Sequence, residues 1–111
     1  MSIHRRDPRK DANHSSIVEV VRRAGALWRE SNGLGCDGWV GYRGTWEPWE
    51  IKDGSKPASR QKLTELEADM QSQCAYYHLP YTVIHSPEEA LGRLACIAQT
   101  SPENVAFATN T

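Results

Sequence analysis

Apolar side chains recur at two different spacings along the chain, and each spacing predicts a different kind of element. Between residues 13 and 24 the spacing is helical, which predicts a first helix. Asn13 is a favourable N-cap for this helix, and Gly25 is a favourable residue to end it. The face predicted to enter the core carries Ile17, Val20, Val21 and Ala24.

The next segments alternate between apolar and polar residues, as half-buried strands do. The stretch "ALWRES" at 26–31 predicts a short strand. The stretches "DGWVGYR" and "TWEPWEIK" predict a hairpin with a tight turn at Arg43-Gly44. We expect Pro48 at a sheet edge or a bulge, because proline cannot donate a hydrogen bond to a neighbouring strand.

The second half of the chain predicts two further helices around one more strand. Thr64 begins the first of these helices, and Glu67 completes a capping box with it. The stretch "PYTVIH" predicts the strand. Ser86-Pro87 then begins the last helix, which ends near Ala98. The apolar stripe of the middle helix would consist of Leu63, Leu66, Met70, Cys74 and Tyr77.

The resulting order, α-β-β-β-α-β-α, predicts one α/β domain with a mixed sheet flanked by helices. This domain would span residues 13–98. Residues 1–12 are polar and basic and predict a flexible arm, and residues 99–111 predict a loose tail.

The composition is typical of an ordinary soluble protein, with 39% hydrophobic and 24% charged residues in a chain of 111. No apolar run approaches the roughly 20 residues that span a membrane. The basic N-terminus also lacks the apolar segment of a secretory signal. The three cysteines, Cys36, Cys74 and Cys96, are odd in number and widely spaced. We therefore expect free thiols, a cytoplasmic location and no membrane partner.

Charge is divided unevenly between the two halves of the chain. Residues 1–62 hold 12 Lys and Arg against 8 Asp and Glu, whereas residues 63–111 hold one Arg against six acids. A basic half suits a polyanionic partner such as a nucleic acid. An uneven but merely solvated surface is the alternative interpretation.

Three charged residues fall in the predicted hairpin. Asp37 starts its first strand, and Glu50 and Lys52 lie near the end of its second. These two ends are neighbours in an antiparallel pair, so the three side chains can converge. Two close carboxylates repel each other unless a cation lies between them, and Mg²⁺ prefers carboxylate, carbonyl and water ligands. With a lysine beside the ion, this set suits hydrolysis of a phosphodiester, and a surface ion pair is the alternative.

The spacing of Asp37, twelve intervening residues and Glu50-Ile51-Lys52 resembles the PD-(D/E)xK nuclease signature. The wider sequence resembles the small phage-type VRR-NUC (virus-type replication-repair nuclease) domains over about residues 10–95. The stretches that carry this likeness, in order, are "DANHSSIVEVVRRAGALWRES", "GCDGWVGYRG", "WEIKDGSKPASRQKLT" and "HSPEEAL". The resemblance implies a restriction-endonuclease-like core and DNA cleavage with Mg²⁺ or Mn²⁺. It also implies selectivity for branched DNA such as Holliday junctions, and often a homodimer.

The resemblance assigns a role to each matching position. Asp37 and Glu50 would be the metal carboxylates. The backbone carbonyl of Ile51 would be a further metal ligand, and Lys52 would be the catalytic lysine.

Three positions depart from the family pattern. Cys36 precedes Asp37 where a proline is usual, Ser16 stands where the first helix often supplies a glutamate, and Glu67 stands where a glutamine is common. Glu19 is the nearest acid to Ser16, but it lies opposite the apolar face of its helix and is expected in solvent. We therefore expect one metal ion rather than two.

Basic residues near the predicted site are candidates for DNA contacts. The loop after Lys52 offers phosphate contacts from Lys56, Arg60 and Lys62. The arm offers a second, salt-sensitive contact through Arg5, Arg6, Arg9 and Lys10. Solubility is the alternative role for both sets. The tryptophans either stack on unpaired bases or, more commonly, pack in a core or a dimer interface, and Trp49 is expected in the core.

The leading hypothesis is a Mg²⁺- or Mn²⁺-dependent DNA endonuclease, acting as a homodimer on branched or duplex DNA in the cytoplasm of a bacterial host. No phosphate-binding loop motif is present, so no nucleotide cofactor is expected. Two alternatives remain: a catalytically weak DNA-binding module of the same fold, and a dimeric interaction protein.

Overall fold

The computed structural model describes the backbone of residues 8–100 and the side chains of residues 13–59 and 61–100. Three helices and four strands follow one another in the predicted order, so the α/β class and the α-β-β-β-α-β-α arrangement are confirmed. The elements are α1 (Pro8–Arg23), β1 (Leu27–Glu30), β2 (Gly38–Tyr42), β3 (Thr45–Ile51), a short 3₁₀ helix (Ala58–Arg60), α2 (Glu65–Tyr76), β4 (Thr82–Ile84) and α3 (Pro87–Thr100). In this described part of the chain, no helix combines the length and the apolar character needed to cross a bilayer.

The four strands form one sheet in the order β1-β2-β3-β4. The first three pair antiparallel, and β4 joins β3 in parallel, so the sheet is mixed as predicted. A parallel neighbour requires a crossover connection, which the segment containing α2 provides. The β2–β3 register places Gly38 opposite Trp49 and so brings the start of β2 against the end of β3.

The predicted hairpin turn is present at Arg43-Gly44. Arg43 has a φ of 53° and Gly44 a φ of 81°. Two consecutive left-handed residues are the requirement of the type I′ turn, whose twist matches that of the flanking strands. The register then continues unbroken from the Tyr42–Thr45 pair to the Gly38–Trp49 pair. Local sequence at the turn therefore determines which residues meet at the far end of the hairpin.

The sheet has two different faces, because successive side chains of a strand point in opposite directions. One face packs against α1 and α3, and Trp49 is fully buried there as predicted. The opposite face carries Trp39, Trp46, Pro48 and Glu50. The core cluster consists of Ile17, Val18 and Val21 from α1, of Ala90, Leu94 and Ile97 from α3, and of Ala26, Trp28, Val40, Trp49, Ile51 and Ile84.

The first helix begins earlier than the sequence predicts. It starts at Pro8, so Asn13 lies inside α1 rather than at its N-cap, and the expected N-cap is wrong. Proline is well tolerated in the first helical turn, where its missing N–H has no intrahelical partner. Residues 8–12, predicted as part of the arm, are therefore helical, and α3 likewise continues to Thr100.

The remainder of the predicted arm and tail, residues 1–7 and 101–111, lies outside the described residues. So do the side chains of the arm residues predicted to contact DNA, Arg5, Arg6, Arg9 and Lys10.

Pro48 does not lie at an edge or a bulge, so that prediction is wrong. It pairs with Trp39 in β3, an interior strand of the sheet. The carbonyl of Trp49 accepts from Asp37 on the β2 side, and successive residues of a strand direct their backbone groups to opposite neighbours. The missing N–H of Pro48 therefore faces the β4 side, where pairing begins only at Trp49. The shortness of β4 makes a proline acceptable inside this sheet.

The apolar stripe predicted for α2 is only partly buried. Cys74 is buried, whereas Leu66 and Tyr77 are exposed. The helix lies beside the loop before β2, where a Cβ on Gly35 would come within 2.9 Å of Met70 Cβ. This helix consequently packs near one end of the sheet and not in the main core, which leaves half of its stripe in solvent.

Glu47 is a buried carboxylate in the core face of β3 that sequence analysis did not single out. Arg93 of α3 binds it through two nitrogens, at 2.6 Å to Oε1 and 2.9 Å to Oε2. Trp49 Nε1 and Thr82 Oγ1 also donate to Oε2, at 2.8 and 2.9 Å. Burial acts to raise the pKa of Glu47, but these donors outweigh it and hold that pKa below its ordinary value. The pair ties α3 to the sheet.

We expect Arg93→Ala to lower the free energy of unfolding by about 3 kcal/mol, because it leaves the Glu47 charge buried without its cation. Urea denaturation measures this change. Arg22→Ala, which removes an exposed arginine of α1, is the matched control and should cost no more than about 0.5 kcal/mol. A loss for Arg93→Ala as small as the control's would contradict a structural role for the pair.

Candidate active site

Asp37 precedes β2 directly, and two hydrogen bonds hold it to the end of β3 while a third joins it to Ser31, just after β1. Its N–H donates to the carbonyl of Trp49 at 3.0 Å, and its own carbonyl accepts from Ser31 at 3.0 Å. Its side-chain Oδ2 accepts from the N–H of Ile51 at 2.7 Å. Both the main chain and the carboxylate of Asp37 are thus oriented towards the stretch that follows Trp49.

Glu50 lies on the sheet face opposite the core, and it is 1% exposed. Neither of its carboxylate oxygens has a hydrogen-bond partner. Lys52 Nζ lies 3.3 Å from Oε2, which is an ion-pair distance without hydrogen-bond geometry. Burial and the nearby Asp37 and Glu67 carboxylates raise the pKa of Glu50 to about 9, against the opposing effect of Lys52. Ionising a buried carboxyl group without donors is costly, so Glu50 keeps its proton at neutral pH in the absence of a cation.

Lys52 bridges the sheet and α2. Its Nζ donates to Glu67 Oε1 at 3.0 Å, and the same oxygen accepts from the N–H of Thr64 at 2.9 Å. The predicted capping box of Thr64 and Glu67 is confirmed. Burial acts to lower the pKa of Lys52, but the Glu67 hydrogen bond and the Glu50 charge outweigh it and raise that pKa above its ordinary value. The lysine is therefore charged and held in position.

Glu67 is a site residue whose role sequence analysis missed. The capping box revealed its place in the helix, but a single side chain both caps α2 and binds Lys52. No local sequence pattern predicts the contact between Glu67 and Lys52, because 15 residues separate them. Burial acts to raise the pKa of Glu67, whereas the Thr64 N–H and Lys52 hold it below its ordinary value.

The first helix supplies an amide and not a carboxylate to this region. Asn13 Nδ2 donates to the carbonyl of Lys52 at 3.2 Å. Ser16 is exposed. Glu19 is exposed as predicted, and it forms an ion pair with Arg23 at 2.9 Å on the helix surface. Asn13 thus links α1 to the segment Glu50–Lys52.

Tyr81 and Cys36 lie beside the acidic cluster, and neither was predicted to do so. The hydroxyl of Tyr81 donates to the carbonyl of Gly35 at 2.6 Å. Burial, together with the Glu50 and Glu67 charges, raises the pKa of Tyr81 above its ordinary value. Burial is also the main cause that raises the pKa of the Cys36 thiol. All three cysteines are free, as predicted.

The donor set suits a divalent cation that accepts few protein ligands. In residues 13–59 and 61–100, no group of three or more His, Cys, Asp and Glu side chains is arranged to hold a metal ion. A metal here would depend on the Asp37 and Glu50 carboxylates, the Ile51 carbonyl and water, which is the kind of set that Mg²⁺ uses. The buried, donor-free oxygens of Glu50 fit this requirement, because a cation would satisfy them.

The basic loop predicted to contact DNA begins directly after Lys52. Lys56 is half-buried, and its N–H donates to the carbonyl of Asp53 at 3.0 Å. Gln61 Nε2 donates to the Lys56 carbonyl at 2.6 Å and closes the loop on itself. Lys62 is exposed, and the side chain of Arg60 lies outside the described residues. The structure thus shows Lys56 and Lys62 in the folded segment that follows Lys52, and DNA contacts by these residues stay a prediction.

Comparison with known proteins finds a partial similarity to a curated enzyme. Over 82 residues the chain is 34% identical to the sulfoquinovosidase of Agrobacterium fabrum (strain C58 / ATCC 33970), an alignment that covers 68% of this chain. The chain spans 12% of the length of that relative. No protein-family model and no solved structure matches the chain. Function must therefore be argued from the site itself.

We expect Glu50→Gln to stabilise the protein in EDTA, because the unfolded chain can lose the Glu50 proton whereas in the fold the ionised carboxylate would be buried without a hydrogen-bond donor. The gain should grow as the pH rises from about 5 to 9. With its raised pKa, folded Glu50 holds a proton that the unfolded chain has already lost, so wild-type stability falls through this window. Urea denaturation across this pH range measures both effects.

Glu65→Gln, which neutralises an exposed glutamate of α2, is the matched control and should change neither stability nor its pH dependence. Addition of Mn²⁺ should raise the melting temperature of the wild type but not that of Glu50→Gln. Equal pH dependence of the wild type and Glu50→Gln in EDTA would contradict the raised pKa of Glu50.

Proposed function

We propose that this protein is a metal-dependent DNA endonuclease. Its active site, which would hydrolyse phosphodiester bonds, consists of Asp37, Glu50 and Lys52. One observation carries the proposal: Glu50 is buried beside Asp37 and Lys52, and neither of its carboxylate oxygens has a hydrogen-bond donor. A structural glutamate is buried with donors, as Glu47 is in the same strand. A glutamate kept without them suits a cation that binds as part of function.

Each residue of the site has a task that its contacts support. Asp37 and Glu50, with the Ile51 carbonyl, would hold Mg²⁺ or Mn²⁺, which when bound polarises a phosphate and lowers the pKa of water. The N–H of Ile51 orients the Asp37 carboxylate. Lys52 keeps its charge and can donate to a phosphate oxygen or to the attacking water, and Glu67 sets the direction of its ammonium group.

The expected substrate follows from charge and from the family resemblance. The basic loop next to the site offers Lys56, Arg60 and Lys62 for contacts with phosphates, which position DNA without reading its sequence. The likeness to VRR-NUC domains supports branched DNA such as a Holliday junction. A homodimer would match the two-fold symmetry of such a junction. The free cysteines suit a reducing compartment such as the cytoplasm.

A catalytically weak DNA-binding module is the second candidate, and it rests on α1. The helix position that often supplies an acid in the resembled family holds Ser16, which is exposed. Lys52 Nζ also lies 3.3 Å from Glu50 and 3.0 Å from Glu67, so these side chains would compete with a phosphate for its ammonium group.

We expect purified protein to cleave branched DNA in Mg²⁺ or Mn²⁺ and to be inactive in EDTA. Asp37→Asn, Glu50→Gln and Lys52→Ala should each lower the cleavage rate by at least about 100-fold, because each removes a group that holds the cation or the phosphate. Gel electrophoresis of labelled junction and linear duplex measures the rates.

Glu19→Gln is the matched control, since it neutralises an exposed carboxylate of α1 that lies in a surface ion pair. It should cleave like the wild type. Activity that survives in Asp37→Asn and Glu50→Gln would overturn the nuclease proposal. Salt-sensitive binding of DNA in Ca²⁺, without cleavage in any metal, would instead favour the DNA-binding module.

Glu67→Gln tests the positioning of Lys52. A glutamine also completes a capping box, so α2 should keep its stability. The substitution removes a charge that raises the pKa of Lys52. We therefore expect the alkaline limb of the pH–rate profile to move to lower pH, with Glu65→Gln as the unshifted control. An unchanged profile, together with an unchanged rate, would show that Glu67 only caps the helix.

A further inference from the structure

Trp39 and Trp46 form a stacked pair on the sheet face opposite the core. Their ring centroids lie 6.1 Å apart and their planes differ by 19°. Trp39 is half-buried, and Trp46 is 51% exposed. Two neighbouring indole rings with this much exposure offer a flat aromatic surface to a partner.

Gly41 allows the Trp46 ring to lie against the sheet. The two residues are paired across β2 and β3, and a Cβ on Gly41 would come within 2.5 Å of Cε3 of the indole. Any larger residue at position 41 would push the ring away from the backbone. The ring is therefore held in place by the sheet before any partner arrives, which lowers the entropy lost on binding.

One exposed positive charge lies on this face beside the aromatic pair. By strand alternation, the charged residues of the four described strands that lie on this face are Arg29 and Glu50. Arg29 is exposed and pairs with Trp39 across β1 and β2, whereas Glu50 is buried. Arg29 can therefore contact the phosphate backbone of a nucleic acid whose bases lie on the indoles.

The aromatic pair is continuous with the candidate active site. Trp46, Pro48 and Glu50 alternate along β3 and so share one face. Trp46 lies four residues from Glu50, which corresponds to about 13 Å along the strand. A nucleic-acid strand with a phosphate at a cation held by Asp37 and Glu50 could therefore lay bases a few nucleotides away on the two indoles.

We propose that Trp39 and Trp46 are a stacking platform for unpaired bases, which makes the substrate DNA with a single-stranded segment next to the cleaved bond. The position of the phosphate rests on the proposed function, but the stacking itself does not. Aromatic side chains stack on any base, so the platform would select single strands without selecting sequence.

Binding is measured by fluorescence anisotropy in EDTA, with labelled oligothymidine and with a duplex of the same length. Trp46→Ala and Trp39→Ala should each weaken oligothymidine binding about tenfold, which corresponds to the loss of one stacked base. Binding of the duplex should change less than about twofold. Trp46→Phe should retain most of the affinity, because it keeps an aromatic face.

Tyr76→Ala is the matched control, because it removes an exposed aromatic ring of α2 outside this face, and it should bind like the wild type. Circular dichroism establishes that the variants fold. Oligothymidine should also quench tryptophan fluorescence of the wild type and quench it less in Trp46→Phe, which tests the contact without a truncation.

Unchanged oligothymidine binding by both alanine variants would overturn the platform. So would a wild-type dimer that Trp46→Ala converts to a monomer, since the face would then be a self-association surface. Tryptophan-dependent binding of oligothymidine in a protein that never cleaves DNA would leave the platform standing and remove the nuclease proposal. DNA cleavage by a protein whose oligothymidine binding does not depend on the tryptophans would support the nuclease proposal and overturn the platform.

Discussion

The hydrogen bond from the Ile51 N–H to the Asp37 carboxylate joins the two ends of the hairpin at which the charged residues meet. Asp37 lies just outside β2, where a loop residue would otherwise be free to turn away. The bond from its own N–H to the Trp49 carbonyl holds its main chain in the same place. Because Glu50 lies between the two anchored β3 residues, its carboxylate is confined close to that of Asp37. The acidic cluster, the tethered lysine and the exposed aromatic face all depend on this register.

Two buried glutamates of β3 differ in their hydrogen-bond partners and in the direction of their pKa shifts. Glu47 faces the core and accepts four hydrogen bonds, and its pKa is lowered. Glu50 faces the other side with no donor, and its pKa is raised. The first arrangement stabilises the fold by tying α3 to the sheet. The second arrangement disfavours the ionised form of Glu50 and so costs stability as the pH rises.

Much of the fold followed from local patterns. Helical spacing, strand alternation, the Thr64–Glu67 capping box and the Arg43-Gly44 turn predicted the elements in their correct order. The convergence of Asp37 with Glu50 and Lys52 also followed, because a tight turn sets the register of a hairpin. The predictions that were wrong depended on neighbours. Asn13 was predicted as an N-cap from its residue type, but α1 begins five residues earlier, at Pro8. Pro48 was predicted at an edge because it lacks an N–H, but β4 is too short to need that donor.

The sequence by itself determined the element order, the hairpin register and the set of charged residues at its open end, since these depend on periodicity, caps and turn geometry over short stretches. Only the tertiary structure decided that Glu50 is buried without donors, that Glu67 and Asn13 contact Lys52, and that Trp46 remains exposed beside Trp39. The physical reason is that burial and partner choice arise from packing between residues far apart in the chain. No local pattern predicts that Glu67 contacts Lys52, 15 residues away, or that α2 lies beside one end of the sheet.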